Sequence, residues 1–343
     1  METIEQMIQK KAYELSYEKC GIIPINLMEG YAEKFEERMQ KVPESRPFYQ
    51  SQQRLINPLE VYPWAKSVIV LTSSYGKYRI PEEVKGHIAK SYLFDVRVDT
   101  NTKEYQNNRA LEKYMQELGL KVETNQKFGV VGMRWAAMQA GIGIIRRNNF
   151  LYTESGSWVH LEAWVTDREM KLKETNNVSQ CPKGCNRCMA SCPTKSLSAP
   201  YTMLPNACVS FLTTFGGRNL HQEPLSKTFG DCIYGCDICQ DACPMNSGKL
   251  KGEEEFPGLA ELAHELTPEN ILNMEEDFYR EKVQPKFFYL SPEELWKWKV
   301  DVLNYMRNNY TESYKPLIIN ACNNENEKIC EMANSICNEL CLQ

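Results

Sequence analysis

Eight of the fourteen cysteines fall into two matching runs. The first is Cys181-Pro-Lys-Gly-Cys185-Asn-Arg-Cys188-Met-Ala-Ser-Cys192-Pro, the second Cys232-Ile-Tyr-Gly-Cys236-Asp-Ile-Cys239-Gln-Asp-Ala-Cys243-Pro. Each closes on C-x2-C-x3-C-P. Thiolates so spaced let one turn of backbone offer several sulfurs to one inorganic cluster, while the closing cysteine of each run ligates the cluster of the other. The proline turns the chain away where no backbone N–H is needed. The pattern predicts two [4Fe–4S] clusters side by side, which store and pass single electrons. Structural zinc would favour two separated CxxC pairs without the crossed ending. Disulfides would suit a small secreted domain.

Cys208, in Pro205-Asn-Ala-Cys208-Val-Ser-Phe, is a ninth candidate ligand between the runs. We assign Cys181, Cys185, Cys188 and Cys243 to cluster one, and Cys192, Cys208, Cys236 and Cys239 to cluster two. Cys232 is then spare, although spacing alone does not force Cys208 over Cys232. Cys20 lies in an apolar stretch and reads as a small buried hydrophobe. Cys322, Cys330, Cys337 and Cys341 fall in the last helices, with Cys337 and Cys341 on one helix face. Core or surface cysteine is the expectation there, and a third metal site the alternative.

The chain has 343 residues, enough for two or three domains. It contains no apolar run long enough to span a membrane. Its first residues, Met1-Glu-Thr-Ile-Glu-Gln-Met, do not read as a secretory signal. With so many cysteines this implies a reducing, cytoplasmic setting and no membrane partner. Residues 251–343 carry 9 Lys+Arg against 18 Asp+Glu, a balance of −9. Residues 1–250 hold the remaining 31 and 27, a balance of +4. The acidic tail is a poor surface for a phosphate backbone. The four histidines, His87, His160, His221 and His264, are scattered, so neither a hydrolytic triad nor a metal–water hydrolase can be built, and no P-loop is present.

The elements around the cysteines read as mixed α/β. Residues 1–45 read as helices with charged faces around the apolar Gly21-Ile-Ile-Pro-Ile. Residues 65–75 form a buried strand rich in β-branched side chains. Residues 102–119 show helical spacing, ended by Gly119. Residues 121–125 read as a short strand, 134–140 as a helix ended by Gly141, and 160–167 as an alternating strand. The expected architecture is α+β or α/β: a reductase domain over 1–172, a double [4Fe–4S], ferredoxin-like domain over 173–250, and an acidic helical tail over 251–343. The glycine-bearing turn Gly141-Ile-Gly143-Ile-Ile-Arg146-Arg147-Asn148-Asn149 is the other pointed feature. Its glycines permit close approach to a ligand and its arginines could hold phosphate or carboxylate. A helix cap with a packing turn explains it equally well.

Taken in order, these pieces resemble the epoxyqueuosine reductase family, relatives of the reductive dehalogenases. The resemblance runs through Arg54-Leu-Ile-Asn-Pro, Ala65-Lys-Ser-Val-Ile-Val-Leu, Ile88-Ala-Lys-Ser-Tyr, the glycine turn, Gly156-Ser-Trp158, Cys208-Val-Ser-Phe-Leu-Thr and Tyr234-Gly-Cys-Asp-Ile-Cys. It favours Cys208 over Cys232 as a ligand. It implies a base-off cobalamin between the α/β and cluster domains, reduced through both clusters by reduced ferredoxin or flavodoxin, and a tRNA or small-molecule substrate. By resemblance Arg54, Leu151 and Ser210 contact the corrin beside Gly141 and Gly143, and Arg134 is an active-site arginine. The family's proposed proton donor is an aspartate opening D-[ST]-x-P-[VI]-L-E-[RK]. Lys127 stands there, in Lys127-Phe-Gly-Val-Val-Gly-Met-Arg134. A carboxylic acid in an apolar pocket can protonate a leaving oxygen at neutral pH, whereas a charged lysine binds an anion or stabilises developing negative charge. The expectation is a divergent paralogue, an oxidoreductase with its redox parts intact and altered substrate chemistry. The alternatives are a non-catalytic electron-transfer or corrinoid-handling protein, and an iron–sulfur protein holding another cofactor such as flavin.

Overall fold

The computed structural model describes residues 2–342 apart from 98, 217, 218 and 288. Helix α1 (Ile4–Glu14) starts on a capping box: Thr3 Oγ1 accepts from Gln6 N and Gln6 Oε1 accepts from Thr3 N. The apolar Gly21 segment that follows is not helical. Flanked by β-branched residues and closed by a proline, it forms strand β1 (Lys19–Pro24). Helix α2 (Glu29–Lys41) then leads into short turns before strand β2 (Ser67–Ser74). Helix α3 (Lys103–Glu117), capped by Thr102, precedes the two-residue strand β3 (Val122–Glu123). Helix α4 (Met133–Gln139) and strand β4 (Val159–Thr166) complete this half.

The sheet has the order β1-β2-β4-β3 and every pairing is antiparallel, with Gly21 opposite Val70 and Val70 opposite Ala163. This is the α+β side of the expectation. Both faces are covered, which is why β2 reads as an unbroken apolar run rather than an alternation. On one face Ile22, Ile69, Leu71 and Trp164 pack on Ile8, Leu111 and Met115 of α1 and α3. On the other, Val68, Val70, Ala163 and Val165 pack on Ala136, Ala137 and Ala140 at and just beyond α4. The small alanines let α4 lie close to the sheet, and Gly21 meets Ala140 there without a Cβ to obstruct it.

A larger core joins three stretches distant in sequence. Residues 75–96, the cluster-run residues Val209, Ile233 and Tyr234, and the tail helices share it. The tail therefore does not fold around a core of its own. Its helices α6 (Leu295–Asn308), α7 (Lys315–Ala321) and α8 (Glu327–Leu340) follow α5 (Val209–Thr214) of the cluster region. Asn304, Arg307 and Asn308 of α6 all donate to Ser226, and Lys227 pairs with Glu339 of α8 at 2.6 Å. The tail thus holds the loop that leads into the second cysteine run. Cys322 and Cys337 face each other, sulfurs 3.4 Å apart, and the Cys330 thiol donates to the Cys322 carbonyl. Cys341 is instead an exposed left-handed cap, so it does not share the Cys337 face.

Candidate metal centres and adjoining cleft

In each run a short helix, Arg187–Ser191 or Ile238–Asp241, carries the middle of the motif, and the two helices pack together. Backbone amides at helix starts face the sulfurs: Met189 N–H toward Cys188, Ile238 N–H toward Cys236, Ser210 and Phe211 N–H toward Cys208. Such donors stabilise thiolate charge. Cys188 has Cys243 and Cys181 as electrostatic neighbours. Cys239 has Cys236, Cys208 and Cys192, and Cys208 has Cys236 and Cys192. The closing cysteine of each run therefore stands among the cysteines of the other, and Cys208 stands with the second group. Cys232 is buried behind it, bonded to Cys236; that contact, and then burial, push the Cys236 thiol well up. Burial likewise raises the thiols of Cys208 and Cys239, an opposition that coordination overrides because a ligating thiol is deprotonated outright. Among the described residues no three Cys, His, Asp or Glu side chains crowd closely enough to share one ion.

The glycine turn is a strap across both groups. Gly141 adopts a left-handed φ of 78° against the Glu174 carbonyl, and a Cβ at Gly143 would strike the Tyr152 carbonyl. The strap then reverses in a small hairpin, Ile144 opposite Tyr152. Its arginines do not project toward a free anion site. Arg146, 1% exposed, donates to Ser179 O and lies 3.9 Å from Cys181 Sγ. Arg147 donates to Cys185 O. Asn148 donates to Tyr152 Oη at 3.0 Å and Cys239 O at 3.4 Å, and the Tyr152 hydroxyl meets Cys243.

Beside the second cysteine group runs a chain of aromatic rings: Phe48 on Phe211 at 5.3 Å, Phe211 on Phe215 at 5.9 Å, Phe215 on Tyr289 at 5.1 Å. Arg97 stacks on Tyr289 at 4.8 Å and donates to its hydroxyl. Tyr92 Oη lies 3.5 Å from Ser210 Oγ. In the turn at residues 125–129, Asn125 accepts from Phe128 N and Gly129 N. Arg54 donates to Gly129 O at 3.1 Å and stacks on Phe128 at 5.5 Å. Residues 46–55 link this turn to the ring chain, Phe48 touching Phe211 and Arg54 touching Phe128. Phe128 and Phe215 are 47% and 45% exposed.

Residues 180–246 match the family model described as a 4Fe-4S double cluster binding domain. An epoxyqueuosine reductase of Cellulophaga algicola is 27% identical over 251 residues, covering 70% of this chain and 78% of the relative. The chain is a homologue of the epoxyqueuosine reductases. Among solved structures, an epoxyqueuosine reductase with an epoxyqueuosine-modified tRNA stem loop superposes with a TM-score of 0.75 at 20% identity, covering 97% of this chain and 89% of that one. The Bacillus subtilis epoxyqueuosine reductase, solved with its catalytic aspartate loop swung out of the active site, gives 0.78 at 19%, covering 97% and 90%. The homology makes this chain an iron–sulfur oxidoreductase with a site for two [4Fe–4S] clusters.

Within this epoxyqueuosine reductase homologue, Arg54 meets the turn at residues 125–129 and Ser210 lies on α5 beside Tyr92. Leu151, 3% exposed, and glycines 141 and 143 lie in the strap. Arg134 donates to the Asn149 carbonyl, tying α4 to the strap. Lys127 is exposed at the loop tip, its ammonium 5.5 Å from the Phe128 ring. Sequence reasoning missed Phe211, Phe215, Tyr289 and Arg97, because nothing in their spacing joins them. It also missed Glu162, which lines a narrow crevice with Asn125 and Gln126 at the β4 edge. Burial raises its carboxyl above the usual range against hydrogen bonds from Asn108 and Tyr17. Its place in an alternating strand was the available signal.

Proposed function

We propose that this chain is a cobalamin-dependent iron–sulfur reductase, its electrons passing from a reduced ferredoxin or flavodoxin through both clusters to the cobalamin. The observation that carries the reading is the juxtaposition of the second cysteine group with the chain of aromatic rings: Cys208 caps α5, and the same helix carries Ser210 beside Tyr92 and Phe211 into that chain. Flat, exposed aromatic faces and flanking donors fit a planar, amide-rimmed macrocycle. Three of the four histidines have partners of their own: His87 bonds to the Asp231 carbonyl, His160 packs on Tyr75 and His264 pairs with Glu83. Bound there, cobalamin would supply a metal that accepts electrons one at a time and delivers them to a substrate carbon–oxygen bond. Arg54 and Ser210 would orient the macrocycle, and Phe128 and Phe215 would exclude water from its faces.

The substrate reading turns on Lys127. It lies exposed at the tip of its loop. Its fitting role is to hold an anionic part of the substrate, as a phosphate of tRNA or a charged group of a small molecule. Glu162 offers the nearby carboxyl that the loop lacks.

Anaerobic purification with added cobalamin tests the core of the reading. About eight irons and one cobalt per chain, with turnover of epoxyqueuosine-containing tRNA or a smaller oxidised analogue that drops on Lys127→Ala, is the expected result. Full iron without cobalt binding overturns it and favours the electron-carrier alternative, which the missing aspartate already suggests.

A further inference from the structure

The two cysteine runs repeat in spacing but not in charge. The first carries Lys183 and Arg187 between its cysteines, and the second Asp237 and Asp241. The fold sharpens the contrast. Buried Arg146 faces Cys181 Sγ at 3.9 Å, and Arg147 holds the Cys185 carbonyl. The second run has Lys90 beside it. It bonds to Asp237 and Asp241 together, at 3.4 Å and 2.8 Å, so two carboxylates outweigh one ammonium. Exposure runs the same way. The first run's loop is open, with Lys183, Gly184 and Arg187 all exposed, whereas Cys192, Cys232 and Asp237 are buried. Positive charge and solvent access both stabilise the reduced, more negative cluster.

We infer that Arg146 and the cations of the first run make cluster one the higher-potential centre, which takes the first electron, while cluster two is the lower-potential centre beside the aromatic rings. This rests on the two-cluster reading above. Each step moves one electron: a reduced low-potential iron–sulfur or flavin carrier loses one and cluster one gains it, and a second transfer then reduces cluster two. No proton or bond is involved. Arg146 acts here as a positioning residue for charge, touching a ligand and not the substrate.

An EPR-monitored redox titration of the intact anaerobic protein decides it. The expected result is two separated waves, with Arg146→Gln moving the upper wave to lower potential and leaving the lower one in place. The exposed pair Lys183→Gln and Arg187→Gln, which leaves the interior untouched, should shift the same wave in the same direction, and this holds even if Arg146→Gln loses iron. A shift confined to the lower wave, or unmoved waves in the exposed double variant with full iron, overturns the ordering. Four irons in the unaltered protein would instead sink the two-cluster reading itself.

Discussion

A thiol becomes a ligand through its neighbours, and Cys208 and Cys232 separate on that ground. Cys208 has two helix-start amides and two other cysteines around it. Cys232 touches Cys236 from within the core, beside Ile233 and Tyr234. Cys208→Ser should therefore cut iron from about eight to about four per chain. Cys232→Ser should keep the full complement, both read by iron analysis of anaerobic protein. The reverse outcome would exchange the two roles. A second residue carries a pH signature. Burial under the sheet beside Tyr75 depresses His160 from its ordinary value to about 4. Between that value and about 6.5 an unfolded chain binds a proton there that the folded chain refuses. Stability is then whole above about pH 6.5 and falls as pH drops toward 4, by up to about 3 kcal/mol from this one group. The shift in urea midpoint between pH 7 and pH 5 should be smaller in His160→Asn than in the unaltered protein; equal shifts would remove His160 from the account.

At the scale of elements, the strap from Gly141 to Tyr152 decides how the sheet half meets the clusters. Its geometry depends on a missing Cβ. Gly143→Ala would drive a methyl into the Tyr152 carbonyl, and overpacking of that kind costs about 1–3 kcal/mol. Because Asn148 and Tyr152 reach Cys239 and Cys243, the same variant should lose iron to a chelator several-fold faster, alongside a lower melting temperature. Loss of thermal stability without faster iron loss would make the strap a passive turn. Much of this level was legible in the sequence. Periodicity located β2, α3, α4 and β4 to within a residue or two, since each has one strongly apolar face or run. The cysteine spacing and the glycine cap at Gly141 were equally plain. The destinations of Arg146 and Arg147 were not. Their partners lie 33 to 38 residues away, and only the hairpin aims them at sulfur and carbonyl rather than at a diffusible anion. Lys127 was legible as a departure, but not its exposure, which follows from the turn that Asn125 caps. The first strand was hidden because Gly21 and Pro24 are poor strand formers taken singly, and its pairing with β2 overrides them.

Across the whole molecule, charge is sorted by function. The first 250 residues carry +4 and the tail −9, and the tail spends its apolar surface on the shared core rather than on a basic face. The positive rim lies elsewhere, at Lys183, Arg187 and Lys195, all exposed around the first cysteine run. An electron donor must approach the cluster nearest the surface, and the rim favours one that is acidic. Attraction between such surfaces speeds encounter at low ionic strength and is screened within about 10 Å at 0.1 M salt. Reduction of the clusters by an acidic ferredoxin or flavodoxin, followed by stopped-flow absorbance, should slow steadily as salt rises. Lys183→Glu should slow it roughly tenfold at low salt, an effect of steering that electrostatic association allows, and the deficit should close at high salt. Reduction by dithionite, which needs no protein docking surface, should be far less sensitive to the substitution. A deficit wholly unchanged at high salt would remove Lys183 from the encounter and leave only its effect on the cluster potential. Salt-independent reduction of the unaltered protein would move the donor's docking surface away from this rim.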